Sequence, residues 1–121
     1  MLLALDIGNS NTVLGLFELG KAGEPARAVA DWRITTPYKQ TPDEIGMLLQ
    51  SLFANRGLTT DQVTGVVVSS VVPPLDADVR RTCETTFHLK PLFIEPGVKT
   101  GLPILTDNPN EVGADLSLIH I

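Results

Sequence analysis

Apolar and polar positions along the chain fall into blocks of different period, and each block predicts an element. Leu2 to Leu5 is a short apolar run, the pattern of a strand buried on both faces. Asp6 interrupts it, and Gly8-Asn9-Ser10-Asn11 supplies strong turn chemistry. Thr12 to Leu19 returns to β-branched and apolar residues, so the two runs predict a hairpin. Gly20 to Pro25 is a second turn, and Ala26 to Thr35, carrying Val29, Trp32 and Ile34, predicts a third strand. Three antiparallel strands in a row form a meander.

The period then changes. Thr41-Pro42-Asp43-Glu44 reads as a capping box with proline at the first helical position. Ile45, Leu48, Leu49, Leu52 and Phe53 follow at i, i+3, i+4, i+7 and i+8, the apolar stripe of an amphipathic helix, and Gly57 stands where a C-terminal cap belongs. Val63 to Val72 is a near-continuous β-branched run, which predicts a central strand covered on both faces. Pro73-Pro74 ends it, Leu75 to Phe87 predicts a second helix, Pro91 to Glu95 a short strand, and Pro96 to Asn110 a loop-rich stretch.

Hairpin, strand, helix, strand, helix, strand is an α/β order. The opening meander points to a mixed sheet rather than a wholly parallel one, and it differs from the strand-helix-strand start of a dinucleotide-binding unit. No helix follows the first turn, which leaves that turn free to act as a binding loop.

Composition narrows the classes. At 121 residues and 43% hydrophobic, the chain suffices for one modest core. A net charge of −5 argues against a nucleic-acid partner, and no basic amphipathic stretch suggests an anionic membrane. The single cysteine, Cys83, excludes an intramolecular disulfide and fits a reducing compartment; on a helix facing the core it is a small packing residue. Asp6 breaks the N-terminal apolar run, so neither a signal peptide nor a membrane span is expected, and the chain reads as cytoplasmic.

Asp6-Ile7-Gly8-Asn9-Ser10-Asn11-Thr12 is the stretch most able to carry chemistry. Gly8 allows close backbone approach and dihedrals that other residues avoid. Asn9, Ser10, Asn11 and Thr12 offer backbone N–H groups and short polar side chains suited to phosphate oxygens. Asp6, at a strand end, suits a metal ion or its waters. The stretch lacks the Gly-Lys-Ser/Thr ending of a P-loop, and an ordinary hairpin with an Asx turn would use the same residues. His88 and His120 have no partner at metal-ligand spacing, Lys99 reads as a solvated loop residue, and Trp32 and Tyr38 read as packing residues.

Asp-X-Gly-Asn-Ser on a hairpin resembles the first phosphate loop of the acetate/sugar kinase, heat-shock protein and actin superfamily. Within it, "LDIGNSNTVLGLF" resembles the type III pantothenate kinases. "WRITT" before the capped helix "TPDEIGMLL", then "VVVSSVVPPL", then "PGVKTGLPILTDNPNEVGAD" resemble the same family in the same order. The resemblance implies a ribonuclease H-like α/β mixed-sheet domain over residues 1–115, the N-terminal of two domains in an actin-like ATPase fold. It implies ATP-dependent phosphorylation of pantothenate, the first step toward coenzyme A. Asp6, Ile7, Gly8, Asn9, Ser10, Asn11, Thr12 and Val13 would form the ATP phosphate loop, with Asp6 acting on Mg2+. Gly113, Ala114, Asp115 and Thr106 would meet pantothenate, and Asp115 would be the general base, since a primary hydroxyl needs a carboxylate to take its proton. The resemblance also implies a monovalent cation, K+ or NH4+, held by the second domain, and a homodimer of the full-length protein.

Two positions depart from the family. Thr106 stands where the family often has an aromatic residue, and Leu116 follows Gly-Ala-Asp where the family has arginine. Residues 116–121 are expected to depart from the family, and the second domain would begin there. The chain is therefore expected to supply one jaw of a two-domain site and to be inactive alone. A non-catalytic transcription accessory factor on the same scaffold, or another small-molecule kinase of the superfamily, are the alternative functions.

Overall fold

The computed structural model describes residues 1–21 and 23–95. Strands β1 (Leu2–Ile7), β2 (Asn11–Glu18), β3 (Arg27–Thr35), β4 (Gly65–Ser70) and β5 (Leu92–Ile94) form one sheet in the order β3-β2-β1-β4-β5. The first three make the predicted antiparallel meander, with Leu2 opposite Phe17 and Ile7 opposite Thr12. On the other side of β1, β4 runs parallel to it, Leu2 opposite Gly65 and Ile7 opposite Ser70, and β5 runs parallel to β4. The sheet is mixed, as the element order predicts, and the carboxyl ends of β1, β4 and β5 share one rim.

Helix α1 (Pro42–Ala54) begins with the full capping box. The Glu44 N–H donates to Thr41 Oγ1 at 3.2 Å, and the Thr41 N–H donates to Glu44 Oε1 at 2.9 Å. Its end is closed by Gly57 at φ 71°, where the Gly57 N–H reaches the Ala54 carbonyl and the Leu58 N–H reaches that of Phe53. These two bonds are those of a Schellman stop, which needs a residue tolerant of the left-handed region. Helix α2 (Asp76–Thr86) follows a 3-10 turn at Pro73–Leu75. His88, at φ 58°, ends it: the Leu89 N–H turns back to the Cys83 carbonyl.

Period-two alternation divides the sheet residues between two faces. Leu3, Leu5, Ile7, Leu14, Leu16, Val66 and Val68 point one way and pack with Ile45, Leu49, Phe53, Val79, Cys83 and Phe87 of the helical layer. Trp32 joins them, stacked on Phe53 at 5.2 Å between ring centroids, so it is a packing residue as expected. Cys83 is fully buried in this core, and burial, with Glu84 beside it, pushes its thiol up to about 12. Helix α1 approaches α2 closely at Gly46, where a Cβ would strike Thr86 Oγ1.

The reverse face carries a smaller cluster of Ala4, Phe17 and Ala26, which takes no residue from either helix. Among the described residues the two faces of the Val63–Val72 run are covered differently, with Ser69 buried on the reverse face without help from either helix. Both helices cover the same face of β4, burying Val66 and Val68, while Val67 on the reverse face is only half-buried. Among the described residues, no helix is long and apolar enough to cross a membrane.

Candidate functional site

Alternation along β1 sends Ile7 into the core and Asp6 to the reverse face. Strand register sets Asp6 between Val13 of β2 and Ser69 of β4, with Ile94 of β5 beyond Ser69. This is the carboxyl rim of the parallel strands, where open α/β sheets hold their ligands. Asp6 is half-buried, and loss of hydration there pushes its carboxyl above the ordinary aspartate value. Among the described residues its carboxylate has no hydrogen-bond or ion-pair partner to offset that. An oxygen ligand of this kind, at a rim and unpaired, fits a hard cation such as Mg2+, which is commonly held by one or two carboxylates together with phosphates. No cluster of three or more His, Cys, Asp or Glu suited to a metal occurs among the described residues. Asp6 could hold such an ion together with waters and phosphate oxygens.

The β1–β2 loop leaves Asp6 through Ile7 and Gly8. The Gly8 N–H donates to the Asn11 carbonyl at 2.9 Å, which closes the turn. Gly8 does not adopt a positive φ, so freedom of dihedral is not what the position demands. Space is: a Cβ on Gly8 would lie 3.0 Å from the Asn11 carbonyl oxygen. That corrects one of the two roles foreseen for this glycine.

Segment 36–38, just past β3, holds the loop from outside. Thr36 Oγ1 donates to the Gly8 carbonyl at 2.6 Å, and the Thr36 N–H donates to the Ser10 carbonyl at 2.9 Å. The Tyr38 hydroxyl donates to the Asn9 carbonyl at 2.5 Å. Tyr38 is brought there by a tight turn with Pro37 at its centre, closed by the Tyr38 N–H on the Thr36 carbonyl. Thr12 Oγ1 lies 3.1 Å from Thr36 Oγ1, and both threonines are buried. Thr36 has one hydroxyl proton, already given to Gly8, so Thr12 is the donor between them. The Thr12 hydroxyl thus faces the helical side and is engaged in holding the loop. The alternation of β2 sets this side chain on the same side as Leu14 and Leu16.

Asp6, Ile7, Gly8, Asn9, Ser10, Asn11, Thr12 and Val13 run from the end of β1 through the loop into β2, with Asn9, Ser10 and Asn11 exposed at the loop tip. Ile7 contributes to the core rather than to the rim. Thr106, Gly113, Ala114, Asp115, Lys99 and His120 lie outside the described residues. Thr36 and Tyr38 were missed as part of the site. Tyr38 is half exposed and bonded to the loop, not packed in the core, which corrects its reading as a packing residue. The available signal was polar Thr35-Thr36 followed by a proline turn directly after an apolar strand.

The family model described as type III pantothenate kinase matches residues 2–120. The type III pantothenate kinase of Koribacter versatilis is 52% identical over 119 residues, covering 95% of this chain and 43% of its own length. That of Myxococcus xanthus is 54% identical over 115 residues, again 95% of this chain and 43% of its own length. The chain therefore spans less than half the length of these relatives. Among solved structures, Thermus thermophilus RuvC superposes with a TM-score of 0.53 at 15% identity, covering 98% of this chain and 92% of that one. At that identity the likeness concerns the fold alone, a ribonuclease H-like mixed α/β sheet.

Proposed function

Given that the chain belongs to the type III pantothenate kinase family, we propose that residues 1–115 form the N-terminal, nucleotide-phosphate-holding domain of an ATP-dependent pantothenate kinase. The observation that carries the reading is the juxtaposition of Asp6 with the β1–β2 loop at the carboxyl rim. A half-buried carboxylate with no partner among the described residues stands beside exposed loop residues whose carbonyls are already engaged elsewhere.

Phosphoryl transfer needs little covalent help from protein; it needs positioning and charge neutralisation. In this reading Asn9, Ser10 and Asn11 present backbone N–H groups to the phosphates, and Gly8 keeps the turn tight enough to do so. Asp6 orients Mg2+ or its waters; when bound, the ion neutralises phosphate charge. Val13 flanks Asp6 on the same face. Asp115 accepts the hydroxyl proton of pantothenate, with Gly113, Ala114 and Thr106 around the substrate. A second domain, for which the relatives' greater length leaves room, closes the cleft and holds a K+ or NH4+ ion. The full-length protein works as a homodimer in the cytoplasm.

Calorimetric titration of this chain with ATP, with and without Mg2+, tests the domain's part. Saturable binding strengthened by Mg2+, with that increment abolished in Asp6→Asn, is the expected result. Equal binding with and without the ion, or an Asp6→Asn variant indistinguishable from the parent, would refute the assignment of Asp6. Turnover of radiolabelled pantothenate by the full-length gene product tests the substrate, and its absence would favour a non-catalytic role for the scaffold.

A further inference from the structure

Three carbonyls in succession, those of Gly8, Asn9 and Ser10, accept hydrogen bonds from the one short segment that follows β3. A peptide unit is planar and trans, so the carbonyl of one residue and the N–H of the next point in opposite directions. Fixing these carbonyls toward segment 36–38 therefore fixes the N–H groups of Asn9, Ser10 and Asn11 toward the opposite side. Neither the Asn9 nor the Ser10 N–H has a backbone partner among the described residues. Successive N–H groups turned to one side form an anion-binding concavity.

We propose that Thr36, assisted by Tyr38, is a positioning residue for phosphate: it sets the direction of the loop amides without touching the ligand. The inference rests on reading the loop as a phosphate loop, and it adds the device that preorganises it. Thr36 is suited to this because it holds two of the three carbonyls at once, one through its hydroxyl and one through its N–H. It is itself fixed from behind by the buried Thr12 hydroxyl. Tyr38 is the weaker member, being exposed and free to exchange its bond for water. Without the brace the loop peptides can rotate, and phosphate must then order them at the expense of affinity.

The test is a titration of the 15N-labelled chain with magnesium tripolyphosphate, read at the amide signals of Asn9, Ser10 and Asn11. Saturable shifts confined to these amides are expected in the parent. Thr36→Val should weaken binding about tenfold, the worth of one hydrogen bond held in place, while the amide signals of β4 stay where they were. Thr36→Ser should restore binding to about twofold of the parent, and Tyr38→Phe should weaken it about threefold, since its exposed bond competes with water. Should Thr36→Val fail to fold, Thr12→Val with Thr36→Val removes both buried hydroxyls together; it should recover the fold and still bind about tenfold more weakly. Parent-like binding in any folded variant lacking the Thr36 hydroxyl would overturn the proposal and leave the phosphate loop standing. Failure of the parent's loop amides to respond would instead refute the phosphate-loop reading itself.

Discussion

The two faces of the sheet are built from the same five strands and yet differ in kind. One face presents Leu3, Leu5, Leu14, Leu16, Val66 and Val68 to the two helices and buries them almost completely. The other presents Ala4, Asp6, Val67 and Ser69, with Phe17 as its main large buried side chain. Bulk on one face gives the domain its stability; the other is less densely filled, with Leu2, Val13 and Ile94 only partly buried, and at its rim Asp6 has no partner among the described residues. A ligand site and a core make opposite demands, and alternation along each strand lets neighbouring residues meet both.

The largest test of this division is truncation on each side. Phe53 is fully buried, stacked on Trp32 and tilted against Phe87 at 5.9 Å between centroids. Phe53→Ala should cost about 3–5 kcal/mol in urea unfolding, the range for emptying a large core position. Val67→Ala, on the reverse face and half-buried, should cost about 1 kcal/mol. Equal losses at the two sites would mean that the faces are packed alike and that the contrast is false.

A smaller effect is expected at the junction between the faces. Gly8→Ala would bring a Cβ to 3.0 Å from the Asn11 carbonyl oxygen, a backbone atom that cannot swing aside. A loss of about 1–2 kcal/mol is expected, as for overpacking by one methyl group. Equal stability of Gly8→Ala and the parent would show that the turn has room to spare, and that this glycine is kept for ligand approach instead.

Most of the architecture was legible because it is local. The capping box at Thr41–Glu44 and the left-handed stop at Gly57 involve residues a few positions apart, and both form as the spacing predicts. The first hairpin was legible for the same reason. What could not be read depends on register between distant segments. The Thr36 bonds to Thr12 and Gly8, and the Tyr38 bond to Asn9, join residues 24, 28 and 29 apart, and nothing local announces them. Alternation along β4 was legible, but the placement of both helices on one face was not, since it depends on how the crossover from β3 through α1 to β4 is routed. The candidate site divides in the same way. Asp6 and its loop were visible as a motif, whereas the inward turn of the Thr12 hydroxyl became evident only once β2 was paired.

The smallest effect is a gain, and it bears most directly on the polar face. Asp6 is held above its ordinary value by burial, so the folded chain keeps its proton more tightly than the unfolded chain does. Such a group favours folding below its unfolded value, and that contribution is lost as pH rises through the folded value. Above the folded value the ionised, partly dehydrated carboxylate therefore opposes folding. Asp6→Asn removes the charge at the same size and should raise the melting temperature slightly near pH 7. The difference should shrink as the pH falls and the parent's carboxyl takes up its own proton. A variant less stable than the parent at every pH would mean that Asp6 has a favourable partner after all, and that the reverse face is not a place where stability was given up. A variant more stable at neutral pH but deaf to Mg2+ would show the opposite: a residue kept for the ligand, against the preference of the fold.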